Sequence, residues 1–249
     1  MNQVHGRHPV HEALKAGRVS ELFVARGTDP GYLANLRQLA QKSGVPVKMV
    51  PREKINSLAR GGNHQGVAAV VSYYQAISLD DLLAAPSSEH HPFYLMAVGV
   101  EDPQNMGSLI RVAESAGLSG VIIPERRSAG LTPAVARASA GALEWARVAR
   151  VKNAVRAIEQ MKERGIWVYG ADPEAKMDHW TPDLTVPLAL VMGGEHKGIP
   201  RLVKKHCDEL IKIPLLGRTP SLNVSTAAAI IIYEALRQRM ACLDASDCV

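Results

Sequence analysis

Three loop sequences hold the residues best suited to chemistry. In Glu101-Asp-Pro-Gln-Asn-Met-Gly-Ser-Leu-Ile-Arg111, Pro103 and Gly107 shape a tight turn and Asn105 can cap the helix that follows. Arg111 lies on that helix, less than two turns beyond Asn105. In Val191-Met-Gly-Gly-Glu-His-Lys-Gly198, Gly193 and Gly194 let backbone amides approach a ligand, and Glu195 sets a carboxylate at a strand end. In the run from Ile213 to Ser225, the residues Ser221, Asn223 and Ser225 crowd the start of an apolar helix with more polar groups than one cap requires. A guanidinium, a carboxylate and several amides suit a polar ligand whose protons must be managed. Each loop also has a plainer reading: a capping Asn with a surface Arg, a turn acid facing water, and an ordinary N-cap. No GxGxxG follows a strand and no GxxxxGK[ST] occurs, so neither a dinucleotide fingerprint nor a P-loop is present.

The elements that must position these loops alternate. From residue 93 the pattern predicts strands at 93–100, 120–124, 144–148, 166–170, 188–194 and 209–214. Helices are expected over 106–116, 133–140, 152–164, 200–206 and 223–243. Such alternation implies a mostly parallel sheet covered on both faces, with ligands beyond the carboxyl ends of its strands. The loops after Val100, Gly194 and Pro214 are therefore the places to look. In the last helix, residues 227–232 (AAAIII) are apolar on every face, so that half is either sandwiched in the core or shared with another subunit.

The first 75 residues read as a separate small α/β unit. Strands are expected at 21–26, 45–50 and 67–74, and helices at 30–43 and 52–60. Residues 76–92 read as a linker, with a capping box at Ser78-Leu-Asp-Asp81 and a polar, proline-bounded stretch at 86–92. Residues 93–249 form the second domain.

Charge separates the same units. Residues 1–75 carry 10 Lys and Arg against 4 Asp and Glu, whereas residues 93–249 carry 19 against 17. A basic module on a near-neutral body fits a binder of anionic polymer joined to a catalytic unit, or simply a soluble basic surface. With 47% hydrophobic residues and no apolar run of membrane length, neither disorder nor a membrane span is expected, and the N-terminus lacks a signal-peptide layout. The location expected is the cytoplasm. Cys207, Cys242 and Cys248 form no CxxC pair, and the three-residue spacing of His5, His8 and His11 is interrupted by Gly6 and Pro9, so no metal site is expected. Trp145, Trp167 and Trp180 are read as packing residues.

Taken together, Asn105-x-Gly-x-x-x-Arg111, Gly193-Gly-Glu195-x-x-Gly198 and Ile213-Pro followed by Ser221-Leu-Asn-Val-Ser225 resemble the three motifs of the SpoU/TrmH methyltransferases. That family belongs to the SPOUT class, which methylates RNA from S-adenosylmethionine (SAM). The N-terminal Val4-His-Gly-Arg-His-Pro-Val-His-Glu-Ala-Leu and His64-Gln-Gly66 are similar to the auxiliary domain of 23S rRNA guanosine 2′-O-methyltransferases of the RlmB type. The resemblance covers nearly the whole chain. It departs at His196, where a small residue is common, and at Val112, where Thr is common.

The resemblance implies a SPOUT domain with a deep trefoil knot, and a homodimer formed through the knot region. SAM would be bound mainly by main-chain atoms, with Gly193, Gly194, Ile213 and Leu222 as its contacts. Arg111 would activate a ribose 2′-hydroxyl. A guanidinium pKa above ~12 favours stabilisation of the developing oxyanion over free-base catalysis. Glu195 would hold Arg111 or the ribose, and Asn105, Ser221 and Asn223 would orient substrate and loop. Ribosomal RNA is the implied partner, met by the basic N-terminal unit through Arg7, Arg52, Lys54 and Arg60; DNA, lacking the 2′-hydroxyl, is not expected. A tRNA ribose methyltransferase is the nearest alternative, followed by a resistance rRNA methyltransferase and a non-catalytic RNA-binding or ribosome-assembly protein. A small-molecule methyltransferase would have little use for the basic module.

Overall fold

Two sheets organise the chain in the computed structural model, which describes residues 2–72, 74–84, 91–195 and 197–246. The first has four strands in the order β1-β4-β2-β3: β1 (Asn2–His5), β2 (Val19–Ala25), β3 (Val47–Val50) and β4 (Val67–Val71). The apolar VAAVV run forms a central strand, antiparallel to both neighbours, while β2 and β3 run parallel. Around it pack α1 (Arg7–Lys15), α2 (Pro30–Lys42) and α3 (Arg52–Ala59), with Leu14, Leu22, Leu36 and Val67 in one core and Ile55 in a satellite.

Two of these elements, β1 and α1, were not expected from the sequence. Gly6 turns the chain at φ +95°, a conformation open mainly to glycine, and Pro9 falls in the first turn of α1, where a missing N–H disrupts no helical bond. The residues that looked like breakers are thus the start of a helix. His5 ends β1 while His8 and His11 lie on α1.

The second sheet has seven parallel strands in the order β7-β6-β5-β10-β8-β11-β9. They are β5 (Phe93–Val98), β6 (Gly120–Pro124), β7 (Val148–Val151), β8 (Trp167–Ala171), β9 (Met177–Asp178), β10 (Leu188–Gly193) and β11 (Glu209–Lys212). Every residue of β5 is buried, because alternate side chains enter two different cores: Leu95 and Ala97 one, Tyr94 and Met96 the other. The first core is covered by α5 (Pro103–Ser115), α6 (Pro133–Ala138) and α9 (Val224–Ser246). The second is covered by α4 (Leu79–Ala84), α7 (Ala154–Glu163) and α8 (Arg201–His206). This is the expected two-sided α/β layout.

Several expectations need correction. The strand predicted at 144–148 is displaced: Ala142–Glu144 is a 3-10 turn, entered at Gly141 with φ +96°, and the strand is β7. The short edge strand β9 had no sequence signal. The stretch read as a linker packs on the body, since Ile77 bridges Ala149 and Leu82 is fully buried. Of its capping box the forward bond forms, the Ser78 hydroxyl accepting from the Asp81 N–H at 3.1 Å, while the Asp81 carboxylate accepts from that hydroxyl at 2.6 Å. Most of the polar stretch at 86–92, with Tyr73, His196 and Cys248, lies outside the described residues. The three tryptophans are about half exposed rather than packed: the Trp145 indole donates to Glu12 at 3.0 Å, and Trp180 sits edge-on to His179. In α9, Ala228, Ile231 and Ile232 are buried but Ile230 and Tyr233 face outward from the single chain, so its own core covers only one side of the apolar run.

A polar fastening joins the two sheets. Glu144 receives the Arg18 guanidinium at 2.6 Å and the Tyr74 hydroxyl at 2.5 Å, and the Arg18 guanidinium also stacks on the Tyr74 ring. Glu144 is only 2% exposed, so this ion pair is largely withdrawn from water.

Candidate active site

The carboxyl ends of β8, β10 and β11 and the start of α9 enclose a pocket of about 440 Å³. Its lining includes Gly193, Gly194, Glu195, Ile213, Ser221, Leu222 and Asn223, so the second and third motif loops converge on one cavity. The first loop reaches the same place through hydrogen bonds. Asn105 is buried, and its Nδ2 donates to Glu195 Oε1. Asn223 Nδ2 donates to Asn105 Oδ1 at 2.8 Å and to Glu195 Oε1 at 3.3 Å. Two amides thus converge on one oxygen of an exposed carboxylate at the pocket mouth.

Local structure explains how these side chains become available. Asn105 does not cap its helix; Asp102 does, accepting from the Asn105 N–H at 3.1 Å, which leaves the Asn105 amide free to turn toward Glu195. Asn223 does both jobs. Its Oδ1 accepts from the Ser225 and Thr226 N–H groups at the start of α9, while its Nδ2 serves the cluster. The paired glycines are required by backbone crossing. A Cβ at Gly194 would collide with the Gly99 carbonyl at the end of β5, and one at Gly193 with the chain folding back at Gly198.

Arg111 stands apart. It is exposed on α5, about 120° round the helix from Asn105, and it neither lines the pocket nor bonds to Asn105, Glu195 or Asn223. In a single chain, Glu195 holds the two asparagines and not the arginine. Val112, its neighbour, packs against the core. Ser221 lines the pocket and is exposed.

One pocket residue carried no motif. Asp172 follows β8 and is 4% exposed, paired with Lys204 and accepting from the Glu174 N–H at 2.9 Å. Burial pushes its carboxyl pKa up, but the Lys204 hydrogen bond, the Glu174 amide and the Lys204 charge together hold it below the ordinary value. The strand-end rule could have singled it out, since it occupies the same place after β8 that Glu195 occupies after β10.

The pocket suits SAM. Met192, Ile211, Leu222, Ala227 and Ile231 give it an apolar wall for an adenine ring, and Asp172 and Glu195 set carboxylates at its edge for polar ends. On the N-terminal unit, Arg7, Arg52, Lys54 and Arg60 are all exposed. Arg7 stacks on Tyr32, Arg52 and Lys54 lie in the first turn of α3, and Arg60 ends that helix. Among the described residues no group of three His, Cys, Asp or Glu side chains is arranged to hold a metal ion, and no helix is long and apolar enough to cross a membrane.

Comparison with known proteins agrees with this geometry. The SpoU rRNA Methylase family matches residues 92–233, and the family described as RNA 2′-O ribose methyltransferase substrate binding matches residues 3–76. The chain is 46% identical over 245 residues to YacO, a Bacillus subtilis protein assigned to the TrmH family of tRNA/rRNA methyltransferases, covering 96% of this chain and 98% of that one. It is 38% identical to the 23S rRNA (guanosine-2′-O-)-methyltransferase RlmB of Pseudomonas putida, over 96% of this chain and 97% of that protein. Among solved structures, the SpoU methyltransferase AviRb from Streptomyces viridochromogenes, crystallised with its cofactor AdoMet, superposes with a TM-score of 0.79 at 28% identity, covering 96% of this chain and 90% of that one.

Proposed function

The chain belongs to the SpoU rRNA methylase family of SAM-dependent RNA methyltransferases, and we propose that it methylates the ribose 2′-hydroxyl of a guanosine in large-subunit (23S) ribosomal RNA. The observation that carries this reading is the convergence of Asn105, Glu195 and Asn223 at the mouth of the pocket lined by the other two motif loops. Support for the guanosine and for rRNA comes from the relation to RlmB.

SAM supplies a methyl group already activated by its sulfonium, which leaves alignment and proton handling to the protein. Gly193, Gly194, Ile213 and Leu222 hold the cofactor. Asn105, Ser221 and Asn223 orient the ribose and the loop, and the free oxygen of Glu195 accepts a hydrogen bond from it. Arg111 stabilises the charge that develops on the 2′-oxygen. Because its guanidinium lies outside the pocket of its own chain, we assign it to the pocket of a second copy in a homodimer. Exposed Ile230, Tyr233 and Met240 on α9 support such a dimer. A trefoil knot of the C-terminal segments is part of the same proposal, supported by family membership. Residues 1–75 act as the RNA-binding unit, through Arg7, Arg52, Lys54 and Arg60, and residues 93–249 as the catalytic one. An rRNA substrate places the reaction in the cytoplasm.

Mapping ribose methylation on 23S rRNA from a strain lacking the protein is the direct test: one guanosine should lose its methyl group. A missing mark on tRNA instead would move the substrate to the alternative. For Arg111→Ala the expectation is near-total loss of transfer, about 10³-fold, with SAM binding retained. Transfer at the wild-type rate would remove Arg111 from the mechanism.

A further inference from the structure

Where the N-terminal unit meets α6, the surface opens into a crevice of about 450 Å³, separate from the cofactor pocket. Gln3, His5, Leu58, Ala59, Arg60 and Gly62 form one wall, and Pro133 and Arg137 form the other. We infer that this crevice is a nucleotide subsite for the RNA substrate, in which Arg60 and Arg137 together hold the phosphate of an unpaired nucleotide flanking the one to be methylated. The inference rests on the proposed RNA substrate and adds to it a site shared by the two units.

The charge pattern is the first argument. No carboxylate lines the crevice, and the guanidiniums of Arg60 and Arg137, both exposed, make no ion pair or side-chain hydrogen bond among the described residues. Elsewhere on the same boundary the ionic groups are matched: Arg18 lies on Glu144, and Glu12 takes Lys15 and the Trp145 indole. Two guanidiniums from different units, left without a counter-charge at one cavity, suit a bidentate oxyanion such as a phosphodiester.

Backbone conformation is the second. Arg60 ends α3 in the left-handed region at φ +48°, where a side-chain-bearing residue costs about 1–2 kcal/mol and glycine is the usual choice. Glycines follow at once at 61 and 62, yet the strained position itself holds an arginine. Gly62 in turn lies so close to the His5 ring that a Cβ there would have no room.

His5 adds a polar edge. It is 8% exposed and its Nδ1 has no hydrogen-bond partner. Burial, and then the Arg137 charge, hold its pKa below the ordinary imidazole value against a hydrogen bond to the Asn63 backbone, and Nδ1 is the ring nitrogen left over. Leu58, Ala59 and Pro133 supply an apolar surface for a base, and Gln3 a second polar group. Specific RNA recognition works on such unstacked nucleotides. The location also fits. Gly107 of α5 lies against Ala138 of α6, so the helix carrying Arg137 packs directly on the helix carrying Asn105.

The test uses the full-length protein and the double variant Arg60→Gln/Arg137→Gln, with Arg156→Gln, an exposed arginine on α7, as a control for the loss of a positive charge away from the crevice. RNA binding to unmethylated 23S rRNA fragments is measured across a salt series beside methyl transfer. The double variant should bind RNA about tenfold more weakly, with a salt slope shallower by about 0.7 for one single-strand phosphate contact. KM for RNA should rise while kcat and SAM affinity hold. Unchanged RNA affinity and slope overturn the subsite, as does an equal loss in Arg156→Gln. Saturable binding of inorganic phosphate that the double variant abolishes, without any change in RNA affinity, also overturns it in favour of a free-anion site. If the wild-type protein methylates no RNA, the proposed function falls, but the RNA-binding comparison still decides the subsite.

Discussion

Glu144 and Glu195 each draw together side chains from distant parts of the chain, with opposite outcomes. Glu144 is buried and meets a guanidinium and a phenol, so its charge is matched and its oxygens are occupied. Glu195 is exposed and, among the described residues, meets only the neutral amides of Asn105 and Asn223, both on one oxygen. A carboxylate closed against a cation is a fastening. One held in place by amides, with its charge uncompensated and an oxygen to spare, is positioned for a ligand.

The sharpest way to break this contrast is to remove the fastening. Glu144→Ala leaves the Arg18 cation largely buried without its partner and deprives the Tyr74 hydroxyl of its acceptor, and should cost about 3 kcal/mol of stability. Chemical denaturation would measure it; a loss under about 0.5 kcal/mol would mean that the two units are held mainly by other contacts. Glu195→Gln should behave in the reverse sense. Its stability should stay near wild type, because the amide oxygen can still accept from Asn105 and Asn223, while methyl transfer falls about tenfold, or about 1.4 kcal/mol in the barrier. A stable variant of undiminished rate would reduce Glu195 to scaffolding.

The two carboxylates also differ in how visible they were beforehand. Asn105, Glu195 and Asn223 were legible because each lies in or just beyond a loop punctuated by Gly or Pro beside a strongly patterned strand or helix, and parallel α/β sheets gather such loops at one edge. Glu144 carried no such signal. Its partners, Arg18 and Tyr74, are 126 and 70 residues away, and only the packing of the N-terminal sheet region against the larger sheet brings them together. The same holds for the crevice between Arg60 and Arg137. Helix α1 was missed for a local reason: Gly6 and Pro9 are breakers in a helix interior but acceptable at its start, and periodicity does not reveal which applies. The position of Arg111 was legible only as far as its helix. Its angle away from Asn105 follows from helical geometry, but which pocket it serves depends on an assembly that spacing along one chain does not encode.

Asp172 and Lys204 form a third case between these two, and the smallest expected effect. Like Glu144, Asp172 is buried against a cation; like Glu195, it lines the cofactor pocket. Its pKa in the folded chain lies below the ordinary carboxylate value, so the unfolded chain binds the proton more tightly. The pair therefore contributes its full stability above about pH 4, the unfolded value, and loses it as pH falls through the folded one. Lys204→Met reverses the sign. Burial, which alone would raise the pKa, then competes only with the Glu174 N–H, and the folded chain becomes the state that favours protonation. The variant should be less stable than wild type by about 1 kcal/mol at pH 7. That gap should narrow as pH falls toward 4, because protonation relieves the variant there, whereas the wild type begins to lose its own contribution only below that value. Urea unfolding at both values measures the gap. A constant difference would show that Lys204 acts through packing of its stem, and would place Asp172 with the pocket residues rather than with the fastenings.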